Sequence, residues 1–247
     1  MSEELKKIVN WLNEYKEKTN CRGVVLGISG GKDSTVVAML SKLVFGDNVF
    51  GVIMPNGVQK DIDDAIKVCE TLHIDYGIVN INDAYKELLD SIEYCSGLKS
   101  IEITDKAKTN IPPRLRMTTL YAIAQTSGYR VIGTGNASER YIGWFTKYGD
   151  GGCDLNPIAH LTCTEVIELG KQLCKEFDLP VELIIKTPAD GLTGKSDEDN
   201  FGFTYKQLDD YISEKADIPF SVYEKISKLH EYSEHKLRMP YTIERNI

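Results

Sequence analysis

The stretch Arg22-Gly23-Val24-Val25-Leu26-Gly27-Ile28-Ser29-Gly30-Gly31-Lys32-Asp33-Ser34 decides how this chain is read. Its first half is a short, continuous apolar run, the pattern of a strand buried on both faces. Its second half is a Ser/Gly loop that opens a helical periodicity over residues 33–45. Glycines there let the backbone turn tightly and approach a ligand closely. The first turn of a helix leaves N–H groups unpaired, and its dipole favours negative charge. Ser29 and Ser34 add hydroxyl donors. Strand, loop and helix therefore make a cradle for a pyrophosphate. A Walker A loop is excluded, because Asp33 follows Lys32 where Ser or Thr would supply the magnesium-binding hydroxyl. A G-x-G-x-x-G dinucleotide fingerprint is absent as well. Asp33 instead offers a carboxylate beside the phosphates, where a magnesium ion could bridge them.

Working outward, the same alternation recurs. Residues 48–54 (NVFGVIM), 74–80 (IDYGIVN) and 129–133 (YRVIG) read as further buried strands. Helical periodicities fill residues 61–72, 83–94 and 115–127 between them. Strands separated by helices argue for a parallel sheet covered on both faces, and right-handed crossovers make it doubly wound. The last third is helical over 164–177, 205–214 and 219–231. These additional C-terminal helices are expected to pack on the sheet, so that residues 1–247 form a single α/β domain.

Bulk properties fit that reading. The formal net charge of −8 offers no global basic field for nucleic acid. No apolar run approaches the roughly 20 residues that span a bilayer. The N-terminal residues read as an amphipathic helix rather than a secretory signal. The six cysteines form no C-x-x-C pair, which points to buried, reduced thiols and a cytoplasmic protein.

In a doubly wound sheet, ligands bind at the carboxyl ends of the strands where the winding reverses. If residues 129–133 pair with the first strand, Thr134-Gly135-Asn136-Ala137-Ser138-Glu139 faces the phosphate loop. Glu139 then supplies a second hard oxygen ligand for magnesium, and Thr134 a contact to ATP.

The loop resembles the S-G-G-x-D-S loop of the ATP pyrophosphatases, which cleave ATP between its α- and β-phosphates. Longer motifs resemble the NAD synthetase family within that group. They are Asn110-Ile111-Pro112-Pro113-Arg114-Leu115-Arg116-Met117, Gly133–Glu139 (GTGNASE), Gly143–Asp154 (GWFTKYGDGGCD), Ser196-Asp197-Glu198-Asp199 with Gly202, and His235-Lys236. The resemblance implies a Rossmann-like fold of the adenine nucleotide alpha-hydrolase type. It implies amidation of nicotinic acid adenine dinucleotide (deamido-NAD) through an adenylated carboxylate, with ATP and magnesium. ATP would meet Gly27, Ser29, Gly30, Gly31, Lys32, Asp33, Ser34 and Thr134. Deamido-NAD would meet Arg114, Lys147, Asp154, His235 and Lys236. Asp33 and Glu139 would hold the metal, Lys32 would assist, and Asp150 would take a proton from ammonium. The family further implies a homodimer. No amidase domain is evident, so free ammonia is the expected nitrogen source.

The sequence also departs from the family's pattern. Cys163 and Ile53 stand where many members carry a cation, and Pro112-Pro113 replaces a usual Lys-Ala. Thr187-Pro188-Ala189-Asp190 departs from a P-[ST]-A segment. Another ATP pyrophosphatase, such as a GMP synthetase core or a tRNA-modifying enzyme, or a non-catalytic nucleotide sensor, remains the alternative reading.

Overall fold

The computed structural model describes residues 1–58, 62–95, 102–186, 196–215 and 218–243. Residues 187–190, where one family departure falls, lie outside the described residues. An N-terminal helix α1 (Glu3–Thr19) leads into β1 (Val24–Gly27), α2 (Lys32–Phe45), β2 (Val49–Ile53), α3 (Ile62–Thr71), β3 (Asp75–Ile78), α4 (Asn82–Glu93), α5 (Asp105–Ser127) and β4 (Arg130–Val131). There follow α6 (Ala137–Ile142), α7 (Cys163–Phe177), α8 (Glu182–Ile185), α9 (Asp197–Phe201), α10 (Tyr205–Ile212) and α11 (Phe220–Leu237).

The four strands are all parallel in the order β3-β2-β1-β4. Winding reverses between β1 and β4, as the sequence predicts. Alternate residues of β1 and β2 enter different cores. Val24, Leu26, Val49 and Ile53 face the main core with α1, α2, α3, α7 and α8. Val25, Val52 and Val131 face α5 on the other side. That is why the strands read as unbroken apolar runs. A third cluster joins Ile142, Phe201, Tyr205, Leu208 and Ile226, and fastens the last helices against α6 and α7.

Three elements differ from their sequence reading. Strand β3, read as buried, is an edge strand with Asp75 and Ile78 exposed. Helix α5 begins at Asp105, ten residues before the expected start, and runs through Pro112 and Pro113. Proline inside a helix ordinarily costs about 3 kcal/mol. Here Pro112 is buried, and Pro113 packs so close to Gly149 that a Cβ there would sit 2.9 Å from it. Helix α11 continues past Glu231 to Leu237 and so carries His235 and Lys236 in its last turn. Cations there complement the helix dipole. Among the described residues no helix is long and apolar enough to cross a membrane.

Candidate active site

The phosphate loop is held open by its own side chains. Gly30 adopts φ 77°, a left-handed conformation that favours glycine. Ser29 and Ser34 hydroxyls lie 3.0 Å apart, and the Gly31 N–H donates to Ser29 Oγ at 3.2 Å. Gly31 caps α2 without a side-chain acceptor, so the first amides of that helix keep their donors for a ligand.

Below the loop lies a cluster of charges. Lys32 is 4% exposed. Its Nζ donates to Asp33 Oδ2 at 2.7 Å and sits 5.4 Å from the centre of the Tyr205 ring. Tyr205 in turn donates to Asp197 at 2.9 Å. Asp33 Oδ1 accepts from Asn136 Nδ2 at 3.1 Å, which bridges α2 to the start of α6. Asn136 also caps α6 reciprocally. Its side chain accepts from the Glu139 N–H at 3.0 Å, while Glu139 Oε2 accepts from the Asn136 N–H. Burial and the nearby Asp33 charge hold the Glu139 carboxyl above the usual carboxylate range, and Lys32 opposes them. For Lys32 itself burial works against the charged form, and the carboxylates of Asp33 and Glu139 more than offset it.

Two carboxylates that repel one another and share one ammonium suit a hard divalent cation. Among the described residues no group of three or more His, Cys, Asp or Glu is assembled for a metal. A cation at Asp33 and Glu139 would therefore complete its shell with phosphate oxygens and water, as magnesium prefers. Cys163 stands where the family resemblance led us to expect a lysine. Its thiol is pushed up to about 12 by burial and feels the charge of Lys32. Beside buried Ile53, the Met54 carbonyl accepts from Arg116 Nε at 3.0 Å.

The expected substrate-binding residues come together from three distant segments. Arg114 Nε donates to the Lys147 carbonyl at 3.3 Å, and Lys147 Nζ donates to the His235 carbonyl. Lys236 Nζ donates to the carbonyls of Gly143 and Phe145 at 2.6 and 2.8 Å. Burial lowers the Lys236 pKa, and Asp150 opposes that shift. Helices α6 and α11 pack so closely that a Cβ on Gly143, at φ 67°, would meet Ser233 at 2.1 Å. Asp150 Oδ1 accepts from the Thr146 N–H at 2.9 Å. Although the residue reaches solvent, protein packed around its carboxyl raises its pKa, against the lowering effect of Thr146. Asp154 stands further along, its oxygens accepting from the Val131 N–H at 2.8 Å and the Tyr121 hydroxyl at 3.3 Å. Thr134 is half-buried three residues beyond β4, and Gly27 closes β1.

Sequence reasoning missed Asn136, whose N-x-x-E spacing is a readable capping box. It also missed Asp209, which no local pattern reveals. That buried carboxylate accepts from Ser138 Oγ and from the backbone N–H and hydroxyl of Thr164 at 2.8 and 2.6 Å. Ser138 Oγ accepts from the Cys163 N–H at 2.8 Å. Helices α6, α7 and α10 are thereby pinned at one point, one residue from Glu139.

Fold and site together define a doubly wound α/β nucleotide-binding protein with its phosphate loop at the switch point. The sequence model of the NAD synthase family matches residues 4–240. The chain is 40% identical over 240 residues to the NH(3)-dependent NAD(+) synthetase of Carboxydothermus hydrogenoformans, covering 96% of each. Among solved structures, NMN synthetase from Francisella tularensis superimposes with a TM-score of 0.88 at 37% identity, over 99% of this chain and 98% of that one. The NH3-dependent NAD synthetase from Campylobacter jejuni gives 0.77 at 28% identity, over 99% and 100%. The chain belongs to the NAD synthase family.

Proposed function

We propose that the chain amidates deamido-NAD with ammonia, cleaving ATP to AMP and pyrophosphate. Family membership supports this reading, and so does one observation in particular. The open N-terminus of α2, Asp33 and Glu139 converge at the switch point between β1 and β4.

A nicotinate carboxylate cannot be amidated directly, because its oxygen is a poor leaving group. Its attack on the α-phosphate of ATP forms a mixed anhydride and expels pyrophosphate. Ammonia then attacks the activated carbonyl, and AMP leaves with the former carboxylate oxygen. Ser29, Gly30, Gly31 and Ser34, with the first α2 amides, bind the departing pyrophosphate. Asp33 and Glu139 would hold magnesium, which neutralises charge on the phosphates when bound. Lys32 lies beneath them as a counter-ion rather than on the open face of the loop. Asp150, with its raised pKa, takes a proton from ammonium. Arg114, Lys147, Asp154, His235 and Lys236 bind and orient the pyridine nucleotide. Catalysis here is chiefly positioning and electrostatic stabilisation.

The chain works as one domain with free ammonia, in the cytoplasm and as a homodimer. Helix α4 has no buried residue, and 23-residue α5 buries only Ile111, Pro112 and Ala124. Their half-covered apolar faces support pairing with a second copy. The likeness to NMN synthetase favours a second reading, in which the mononucleotide of nicotinate is amidated. Both readings are tested in one assay, with deamido-NAD or nicotinate mononucleotide, ATP, magnesium and either ammonium or glutamine. AMP and NAD formed from deamido-NAD with ammonium support the first. A higher kcat/KM for the mononucleotide replaces it with the second, and no amide from either substrate overturns both.

A further inference from the structure

Helix α6 is a partition. Glu139 on it feels Asp33, Lys32 and Asp150. The next residue, Arg140, lines a cavity of about 290 Å³ with Phe145, Cys153, Asp154, Asn156 and Lys236. Arg140 is half-buried, and its guanidinium, among the described residues, forms no hydrogen bond or ion pair. Its charge reaches the Cys153 thiol across the cavity. The other polar walls are already engaged. Asp154 accepts from Val131 and Tyr121, and Asn156 Nδ2 donates to the Gly135 carbonyl at 2.9 Å. Lys236 has given two of its three N–H groups to backbone carbonyls. Arg140 and Lys236 outnumber the Asp154 carboxylate on the walls, and the planar fork of the guanidinium stays unmatched, so the lining carries a net positive charge in a chain of net charge −8.

We propose that Arg140 anchors a phosphate group of the pyridine-nucleotide substrate in this cavity. The assignment rests on the reaction proposed above. The carboxylate to be activated has to reach the α-phosphate of ATP, on the Glu139 side of α6. A carboxylate clamped by a guanidinium is also a poorer nucleophile. The anion at Arg140 is therefore the phosphate at the far end of the nicotinate nucleotide. The fork of Arg140 matches two phosphate oxygens, which a lysine would meet only as a point charge.

The experiment compares wild type with Arg140→Ala and Arg140→Lys. It reads KM for each pyridine nucleotide and for ATP, inhibition by the amide product, and thermal midpoints. The product keeps the phosphate and lacks the carboxylate. Arg140→Ala should raise KM for the pyridine nucleotide about ten-fold and weaken product inhibition by the same factor. KM for ATP and the thermal midpoint should hold, and Arg140→Lys should recover part of the loss. An unchanged pyridine-nucleotide KM overturns the anchor. So does product inhibition that stays put while KM rises, which would make the bound anion the carboxylate. Equal rises for ATP and pyridine nucleotide overturn it too. Calorimetric binding of nicotinate mononucleotide to wild type and Arg140→Ala reads the anchor without turnover. A wild type that binds the mononucleotide through Arg140 but forms no amide would sink the proposed reaction and keep the anchor.

Discussion

The two sides of α6 are built on opposite plans. On the phosphate-loop side, charged and polar groups answer one another inside the protein: Lys32 on Asp33, Asn136 on Asp33 and on Glu139. On the cavity side, cations bind backbone carbonyls, as Lys147 and Lys236 do, or have no side-chain partner among the described residues, as with Arg140. The first side is preorganised for a ligand that brings its own cation. The second keeps positive charge in reserve for a ligand that brings only anions. The difference teaches that substitutions on the first side should damage folding and chemistry together. Substitutions on the second should chiefly change substrate affinity.

The largest expected effect tests that coupling. Asp33→Asn should lower turnover about a hundred-fold or more. It also strips the buried Lys32 ammonium of its partner, which costs roughly 3 kcal/mol. A Lys32→Met/Asp33→Asn double variant should regain stability in urea titrations and remain inactive. Recovery of both, or of neither, would break the distinction between the two sides. Next, Asp209→Ala should cost about 3 kcal/mol, read from the urea midpoint, because three donors lose one buried acceptor. Turnover should fall as well, since Ser138 adjoins Glu139. Turnover that holds would mean that α6 keeps its place without this anchor.

Smaller effects sharpen the cavity side. Lys236→Met frees the Gly143 and Phe145 carbonyls and should raise KM for the pyridine nucleotide about ten-fold, with KM for ATP unmoved. A matching rise for ATP would erase the boundary at α6. The smallest effect is electrostatic. The Glu139 carboxyl titrates above its ordinary value in the folded chain, so between the two values the folded state binds more protons than the unfolded one. Without metal, stability should decline as pH rises through that window. Glu139→Gln should flatten the slope, as measured by thermal midpoints across pH. A slope that persists in that variant assigns it to another group.

The contrast also governs what could be read from sequence. The phosphate loop is local, so residues 22–34 disclosed strand, turn and helix together, and the glycines and Asp33 carried the chemistry. Strands β1 and β2 were legible because both of their faces are buried, whereas edge strand β3 was legible only from its residue types. Only their ends differed, as in β4, where pairing with β1 stops at Val131 and Ile132 turns to Leu155. The cavity side was less legible. Nothing local at Arg140 distinguishes it from a solvated helix residue, and its meaning comes from walls at positions 153–156 and 236. The same holds for Asp209, which acts on Ser138 and Thr164 across 71 and 45 residues. Helix α5 starts at a Thr104 cap and passes through Pro112 and Pro113, residues that in sequence ordinarily mark a helix boundary.

The contacts of Lys147 and Lys236 span 88, 93 and 91 positions. During synthesis, a nascent chain that has released its sheet and phosphate loop already holds the contacts of Asn110, Arg114 and Asp150 to residues 146 and 147, and still lacks the His235 carbonyl and the Lys236 ammonium that complete residues 143–147. Until positions 235 and 236 emerge, the three bonds of Lys147 and Lys236 cannot form, and completing the loop waits on one late helix. Competence for the pyridine nucleotide is thus acquired in a single late step of biogenesis, after the apparatus for ATP has taken form.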